Sequence, residues 1–220
     1  MMWVIFVAAG VGLRMKTETP KQFLEISSKP ILIHTITRFC EFCECVLPIV
    51  VISPSQIERW KMLCKEHNFT LSHKIAEGGA TRFHSVKNGL SLIPNDAEGL
   101  VAVHDGVRPF ASRQTINNCI REAEKYGCAI PAVSVVDTIR EISGNTSRAL
   151  DRSALRFIQT PQIFDVQLLK KAYQQEYSPS FTDDASVFEN AGNLIRLTAG
   201  NVENIKITTA HDLRVAEALL

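Results

Sequence analysis

An early run of small residues, Ala8-Ala9-Gly10-Val11-Gly12-Leu13-Arg14-Met15, leads shortly into Pro20-Lys21-Gln22. Side chains this small let a backbone approach a ligand closely, and consecutive N–H groups can cradle phosphate oxygens. Arg14 and Lys21 would set two cations beside those amides, which suits a polyphosphate. The run departs from a dinucleotide fingerprint, because Met15 stands where the third glycine belongs, and from a Walker A loop, because no Gly-Lys-Ser/Thr follows. A tight strand–helix turn carrying two solvated cations is the plainer alternative.

Other residues have types and settings that suit chemistry. Asp105 follows the continuously apolar run 100–104, a poor place to pack a carboxylate and a good one to meet a ligand or a divalent cation. Arg108, three residues on, is near enough to pair with it or to share its ligand. Lys206 lies between Ile205 and Ile207, so its ammonium must emerge from an apolar strand end. Gly78-Gly79 marks a turn, and Ser85 follows on the next helix. Thr182 precedes Asp183 and Asp184, where its hydroxyl either caps a helix or meets an anion. The histidines show no paired ligand spacing, and His104 reads as a packed strand residue.

Elements must hold these groups together. Short apolar runs alternate with stretches of helical period, the pattern of right-handed βαβ units around a parallel sheet. The expected strands lie near 3–8, 46–52, 72–76, 100–104, 129–135, 194–198 and 204–207. Expected helices run from Pro30 to Cys43, from Ser53-Pro54 to Glu66, through Phe83, Val86 and Leu90, from Ser112 through Ala123, from Val166 to Tyr177, from Thr182 to Gly192, and from Thr209 on. The rhythm breaks at 137–150, where extended pieces flank Gly144-Asn145 as in a projecting hairpin. The fold class is therefore α/β, a Rossmann-like, mostly parallel sheet with helices on both faces and a projecting β-arm, in one domain spanning 1–220.

Composition excludes several classes. Lys and Arg number 24 against 23 Asp and Glu, a net charge of +1, so no global basic field draws nucleic acid or an anionic membrane. The longest apolar run, 3–9, is far below a membrane span, and no basic segment precedes it as in a secretory signal. Cys40, Cys43, Cys45, Cys64, Cys119 and Cys128 lack a zinc-ligand pattern and read as reduced thiols, which suits a cytoplasmic protein.

At this point the residues resemble a family. Ala8-Ala9-Gly10-x-Gly12-x-Arg14-Met15 with Pro20-Lys21-Gln22-Phe23-Leu24, then Gly78-Gly79-Ala80-Thr81-Arg82, His104-Asp105-Gly106-Val107-Arg108-Pro109, Gln159-Thr160-Pro161-Gln162, Thr182-Asp183-Asp184-Ala185-Ser186 and Asn204-Ile205-Lys206-Ile207-Thr208 are similar, in order, to the 2-C-methyl-D-erythritol 4-phosphate cytidylyltransferases. Gly106-Val107 departs from the two alanines that many members carry. The resemblance implies transfer of CMP from CTP to methylerythritol phosphate, release of pyrophosphate, and Mg²⁺, in the non-mevalonate isoprenoid route. It implies that Arg14 and Lys21 stabilise the transition state and that Arg152 and Lys206 position the acceptor phosphate. Ala8, Ala9, Gly10, Gly12, Gly78, Gly79, Ser85 and Asp105 would bind nucleotide. Asp105, Arg108, Thr138, Arg152, Thr160, Thr182 and Lys206 would bind acceptor, and Asp105 is the candidate metal contact. It further implies a homodimer that exchanges arms at about 137–159, with Arg152 serving the neighbouring site. The alternatives are a ribitol 5-phosphate cytidylyltransferase, a silent nucleotide-binding module and a dinucleotide-dependent oxidoreductase.

Overall fold

A computed structural model describes residues 2–10, 19–43 and 45–220. Strand β1 (Met2–Val7) runs into the small-residue loop, and a 3-10 turn at Lys21–Phe23 leads through the short antiparallel pair β2 (Glu25–Ile26) and β3 (Lys29–Pro30). There follow α1 (Ile31–Phe42), β4 (Val46–Ile52), α2 (Ile57–Glu66), β5 (Lys74–Glu77), α3 (Arg82–Ser91) and β6 (Leu100–Asp105). Then come α4 (Arg113–Tyr126), β7 (Cys128–Ser134), β8 (Arg140–Ser143), β9 (Thr146–Ala149), β10 (Arg156–Ile158) and β11 (Gln162–Asp165). The chain finishes with α5 (Val166–Ala172), α6 (Asp184–Asn190), β12 (Leu197–Ala199) and α7 (Ala210–Ala218).

Strands β5, β4, β1 and β6 lie side by side and parallel; β11 is antiparallel between β6 and β7, and β12 pairs parallel with β7. Alternation along β1 explains the two cores. Trp3 and Ile5 enter one with Val86, Leu90, Val166 and Phe188, while Val4 and Phe6 enter the other with Leu32, Ile36, Phe39, Trp60 and Ile116. A strand covered on both faces must be apolar on both, which is why β1, β4 and β6 read as continuous runs. The chain moves from β1 outward to β4 and β5, then returns to place β6 on the other side of β1. That reversal opens a crevice at the carboxyl ends of β1 and β6, where ligands of open α/β sheets bind.

Several expectations shift. β5 begins at Lys74, and β12 lies at Leu197–Ala199. Residues 204–207 are in no ladder, although Ile207 donates to Val107 O at 3.0 Å and packs beside Ile31. Helix α5 stops at Ala172, and the ring of its C-cap Tyr173 stacks on Phe83 with centroids 4.8 Å apart. The cap of α6 is Asp183, not Thr182: its carboxylate accepts from Ser186 N at 2.9 Å, while Ser186 Oγ receives Asp183 N at 3.1 Å. The hairpin forms around Gly144-Asn145 as β8 and β9, exposed throughout, and β10 that follows it pairs antiparallel with β7 of the main sheet. Strand β11, only four residues long and opening on Gln162, carries no strand signal of its own.

Candidate active site

The carboxyl ends of four parallel strands open into a cleft of about 400 Å³, lined by Ala8, Ala9 and Gly10 after β1, Ser53 after β4, Gly79 to Arg82 after β5, and Asp105 at the end of β6. Lys21, Ser85 and Lys206 complete its wall. Gly12 and Arg14, expected at the nucleotide and its phosphates, lie outside the described residues. Gln22, buried beside Lys21, donates Nε2–H to Ala8 O at 2.6 Å, which fixes the 3-10 turn against the end of β1. A side chain at Gly78 would place its Cβ 2.3 Å from Ala9 Cβ, and one at Gly79 would stand 2.4 Å from His84 Cβ. Only glycine lets the β5–α3 turn close on the β1 loop. Within that turn Gly79 N–H donates to Ser85 Oγ at 3.0 Å.

Asp105 is the electrostatic centre. Its Oδ2 meets Lys206 Nζ at 3.0 Å and Arg108 Nε at 3.1 Å, and its Oδ1 faces Arg82 Nη2 at 4.0 Å. Burial alone would raise its carboxyl pKa, but Lys206, Arg82 and Arg108 together outweigh that and hold it well below the ordinary carboxylate range. Arg108 thus forms the ion pair that its spacing allowed, and it also donates to Asn204 O at 2.7 Å.

Behind Asp105 runs a chain of hydrogen bonds with one direction. Asp105 N–H donates to Thr160 Oγ1 at 3.0 Å, the Thr160 hydroxyl lies 2.9 Å from His104 Nδ1, and His104 Nε2 lies 3.1 Å from Arg108 O. A carbonyl can only accept, so Nε2 carries the proton and Nδ1 accepts from Thr160. Burial, outweighing the nearby Asp105, holds the His104 pKa at about 4, and the ring is neutral. The structure therefore places Thr160, expected at the acceptor, beneath Asp105, buried and 5% exposed.

Other expected residues lie apart from the cleft of their own chain. Thr138 and Arg152 are exposed at the base of the hairpin, where Arg152 donates to Val136 O. Thr182 is exposed ahead of α6, its N–H given to Ser186 Oγ at 3.0 Å. Two groups escape sequence reasoning. Arg82 belongs to a motif but receives no role from it, yet it lines the cleft and reaches Asp184 Oδ2 at 2.6 Å. Its signal is a cation at the first turn of a helix directly after a glycine turn; Asp184 carries none beyond its place in a helix start.

As a metal site the cleft is poorly equipped. Among the described residues the wall supplies one carboxylate, Asp105, whose Oδ2 is committed to two cations, and no group of three His, Cys, Asp or Glu could hold a metal. The donor set does not fit a resident ion at Asp105.

The sequence profile of the 2-C-methyl-D-erythritol 4-phosphate cytidylyltransferases matches residues 2–220. The protein of that name from Bacteroides thetaiotaomicron is 50% identical over 217 residues, covering 99% of this chain and 98% of that one. The one from Bacillus velezensis is 39% identical, covering 99% and 94%. Among solved structures, the 4-diphosphocytidyl-2C-methyl-D-erythritol synthase of Anaerococcus prevotii superposes with a TM-score of 0.83 at 30% identity, covering 99% of this chain and 95% of that one. With a cleft at the carboxyl edge of the sheet and a match over nearly its whole length, this chain belongs to the 2-C-methyl-D-erythritol 4-phosphate cytidylyltransferase family.

Proposed function

We propose that the chain transfers the cytidylyl group of CTP to the phosphate of 2-C-methyl-D-erythritol 4-phosphate in isoprenoid synthesis. An acceptor phosphate oxygen bonds to the α-phosphorus, the bond from that phosphorus to the bridging oxygen breaks, and pyrophosphate leaves with the electron pair. Negative charge grows on a five-coordinate centre, so positioning and fixed cations supply the catalysis and no protein nucleophile is required. The observation that carries this reading is the meeting of Lys21, Lys206 and Asp105 with the Gly79–Ser85 turn in one cleft.

Lys21 stabilises the charge that develops on the transferring and leaving phosphates. Lys206, together with Arg152 from a second subunit, steadies the acceptor phosphate, and Gly79 and Ser85 face the pyrimidine edge in a space too small for a purine. Mg²⁺ would come as part of the substrate, bound to the triphosphate, whose charge it would offset. The chain is one domain that works as a cytoplasmic homodimer. Exposed Val136, Ile142 and Phe157 on and beside the hairpin support a partner there, and six free cysteines suit a reducing compartment.

The experiment is an initial-rate assay of pyrophosphate release from CTP with methylerythritol phosphate and, separately, ribitol 5-phosphate. Turnover at least about tenfold more efficient with the first is expected, a difference of about 1.4 kcal/mol in transition-state binding. Preference for ribitol 5-phosphate would overturn the acceptor assignment.

A further inference from the structure

The two oxygens of Asp105 stand in unequal surroundings. Oδ2 takes both Lys206 and Arg108 at hydrogen-bond distance, whereas the cation facing Oδ1, Arg82, stops at 4.0 Å. The same Arg82 nitrogen closes to 2.6 Å on Asp184 Oδ2. Asp184 is fully buried in the first turn of α6, and its other oxygen receives the Tyr173 hydroxyl at 2.6 Å. Its place is set from the sheet: Gln162 of β11 donates to Asp183 Oδ2 at 2.7 Å and accepts from Ala185 N at 2.9 Å.

Burying an ion pair gains little stability, because desolvation consumes most of the attraction. What this pair does achieve is geometric. A guanidinium released from Asp184 would be drawn onto its other anion among the described residues, Asp105, and would cover Oδ1. Tethered to Asp184, Arg82 lines the cleft and stops 4.0 Å from Oδ1.

We propose that Asp184 is a positioning residue that holds Arg82 back from Asp105, so that Asp105 Oδ1 stays open to accept a hydrogen bond from a hydroxyl of the polyol phosphate acceptor. This rests on the cleft being the cytidylyl-transfer site. Oδ2 is committed to the cations, and Oδ1 is the oxygen turned toward the side from which Arg82 is withheld.

The test compares wild type with Asp184→Asn, Arg82→Gln and the double variant. Asp184→Asn should raise KM for methylerythritol phosphate about tenfold with kcat within about threefold. Adding Arg82→Gln should return KM toward the value of Arg82→Gln alone, since the group that covers Oδ1 is gone. A double variant whose KM equals or exceeds that of Asp184→Asn overturns the proposal.

A crystal structure of Asp184→Asn gives a readout free of turnover. Arg82 should lie about 2.8 Å from Asp105 Oδ1, the distance of a charge-assisted hydrogen bond; a guanidinium that has not approached overturns the proposal even if the enzyme turns over. An approached guanidinium in a protein that does not use CTP would instead leave the tether standing and remove the assigned reaction. Should Asp184→Asn fail to fold, Tyr173→Phe removes only the hydroxyl that steadies Asp184. Its KM should rise about twofold to threefold in the wild-type background and not beside Arg82→Gln; an equal rise in both backgrounds counts against the tether.

Discussion

Lys206 Nζ lies 3.0 Å from Asp105 Oδ2, and Arg108 Nε shares that oxygen at 3.1 Å, so one carboxylate steadies two cations at the mouth of the cleft. An extended segment that joins no sheet carries Lys206, and a strand end carries Asp105; their ion pair fixes the C-terminal tail against the end of β6. The substrates' phosphates therefore enter a field that is already arranged.

Replacing that carboxylate should be costly. Asp105→Asn leaves Arg82, Arg108 and Lys206 without their common anion, and a loss of about 3 kcal/mol is expected for breaking a buried charge network from one side. The Asp105 pKa is lower in the fold than in the unfolded chain, whose ordinary value is near 3.8. Its contribution is thus present above the unfolded value and is lost as pH falls through the folded one. In urea denaturation the gap between wild type and Asp105→Asn should be constant from about pH 5 to 8 and should narrow below about pH 4. A gap that widens in acid would contradict the assignment.

His104 titrates with the same sign for a different reason. Its ring is buried with a pKa of about 4 against an ordinary 6.5, so acid protonates the unfolded chain first. The stability it preserves is complete above the unfolded value and falls away as pH drops toward the folded one. Between about pH 7 and pH 5, wild type should lose about 2 kcal/mol more than His104→Gln. Equal losses in the two proteins would show that the ring is solvated or charged in the fold.

Lys21 is held against the end of β1 by its neighbour Gln22. Lys21→Ala should lower kcat by about 10² to 10³ with a smaller change in KM for CTP, because the cation acts on charge that appears in the transition state. A folded variant with near-normal kcat would remove Lys21 from catalysis.

Arg152 and Lys21 should serve different subunits. Each alanine variant alone should be nearly inactive, but a mixed dimer holds one site lacking both cations and one site with both intact. Subunit exchange should restore activity approaching about half of wild type per heterodimer. Activity no greater than the sum of the parents, with heterodimers demonstrated, would place Arg152 in its own chain's site or in none.

Much of this architecture is legible in the amino-acid sequence. The continuous apolar runs of β1, β4 and β6 carry their own signal, because burial on both faces leaves no alternation to misread. Asp105 stands out for the same reason, a charge at the end of an apolar strand. The acidic pair after Thr182 is harder to read. Asp183 and Asp184 look alike in sequence, yet one caps a helix in solvent's reach and the other is sealed beneath Arg82, and only packing from β11 and Tyr173 separates them. Thr160 stands out as a motif residue, but its hydroxyl is oriented beneath Asp105 by His104, a partner 56 residues away in sequence. Long-range polar pairing of this kind leaves no local period, and β11, which brings much of it about, is too short to show one.

Direct transfer requires that a phosphate oxygen of the acceptor take the α-phosphorus of CTP. Incubation of the purified protein with CTP labelled at the α-phosphorus, unlabelled methylerythritol phosphate and Mg²⁺ follows that atom. Label is expected in a diphosphocytidyl-methylerythritol product, with one unlabelled pyrophosphate per product and no label transferred to protein. Label that stays in CTP, appears in free CMP alone, or is donated equally well from ATP would contradict it.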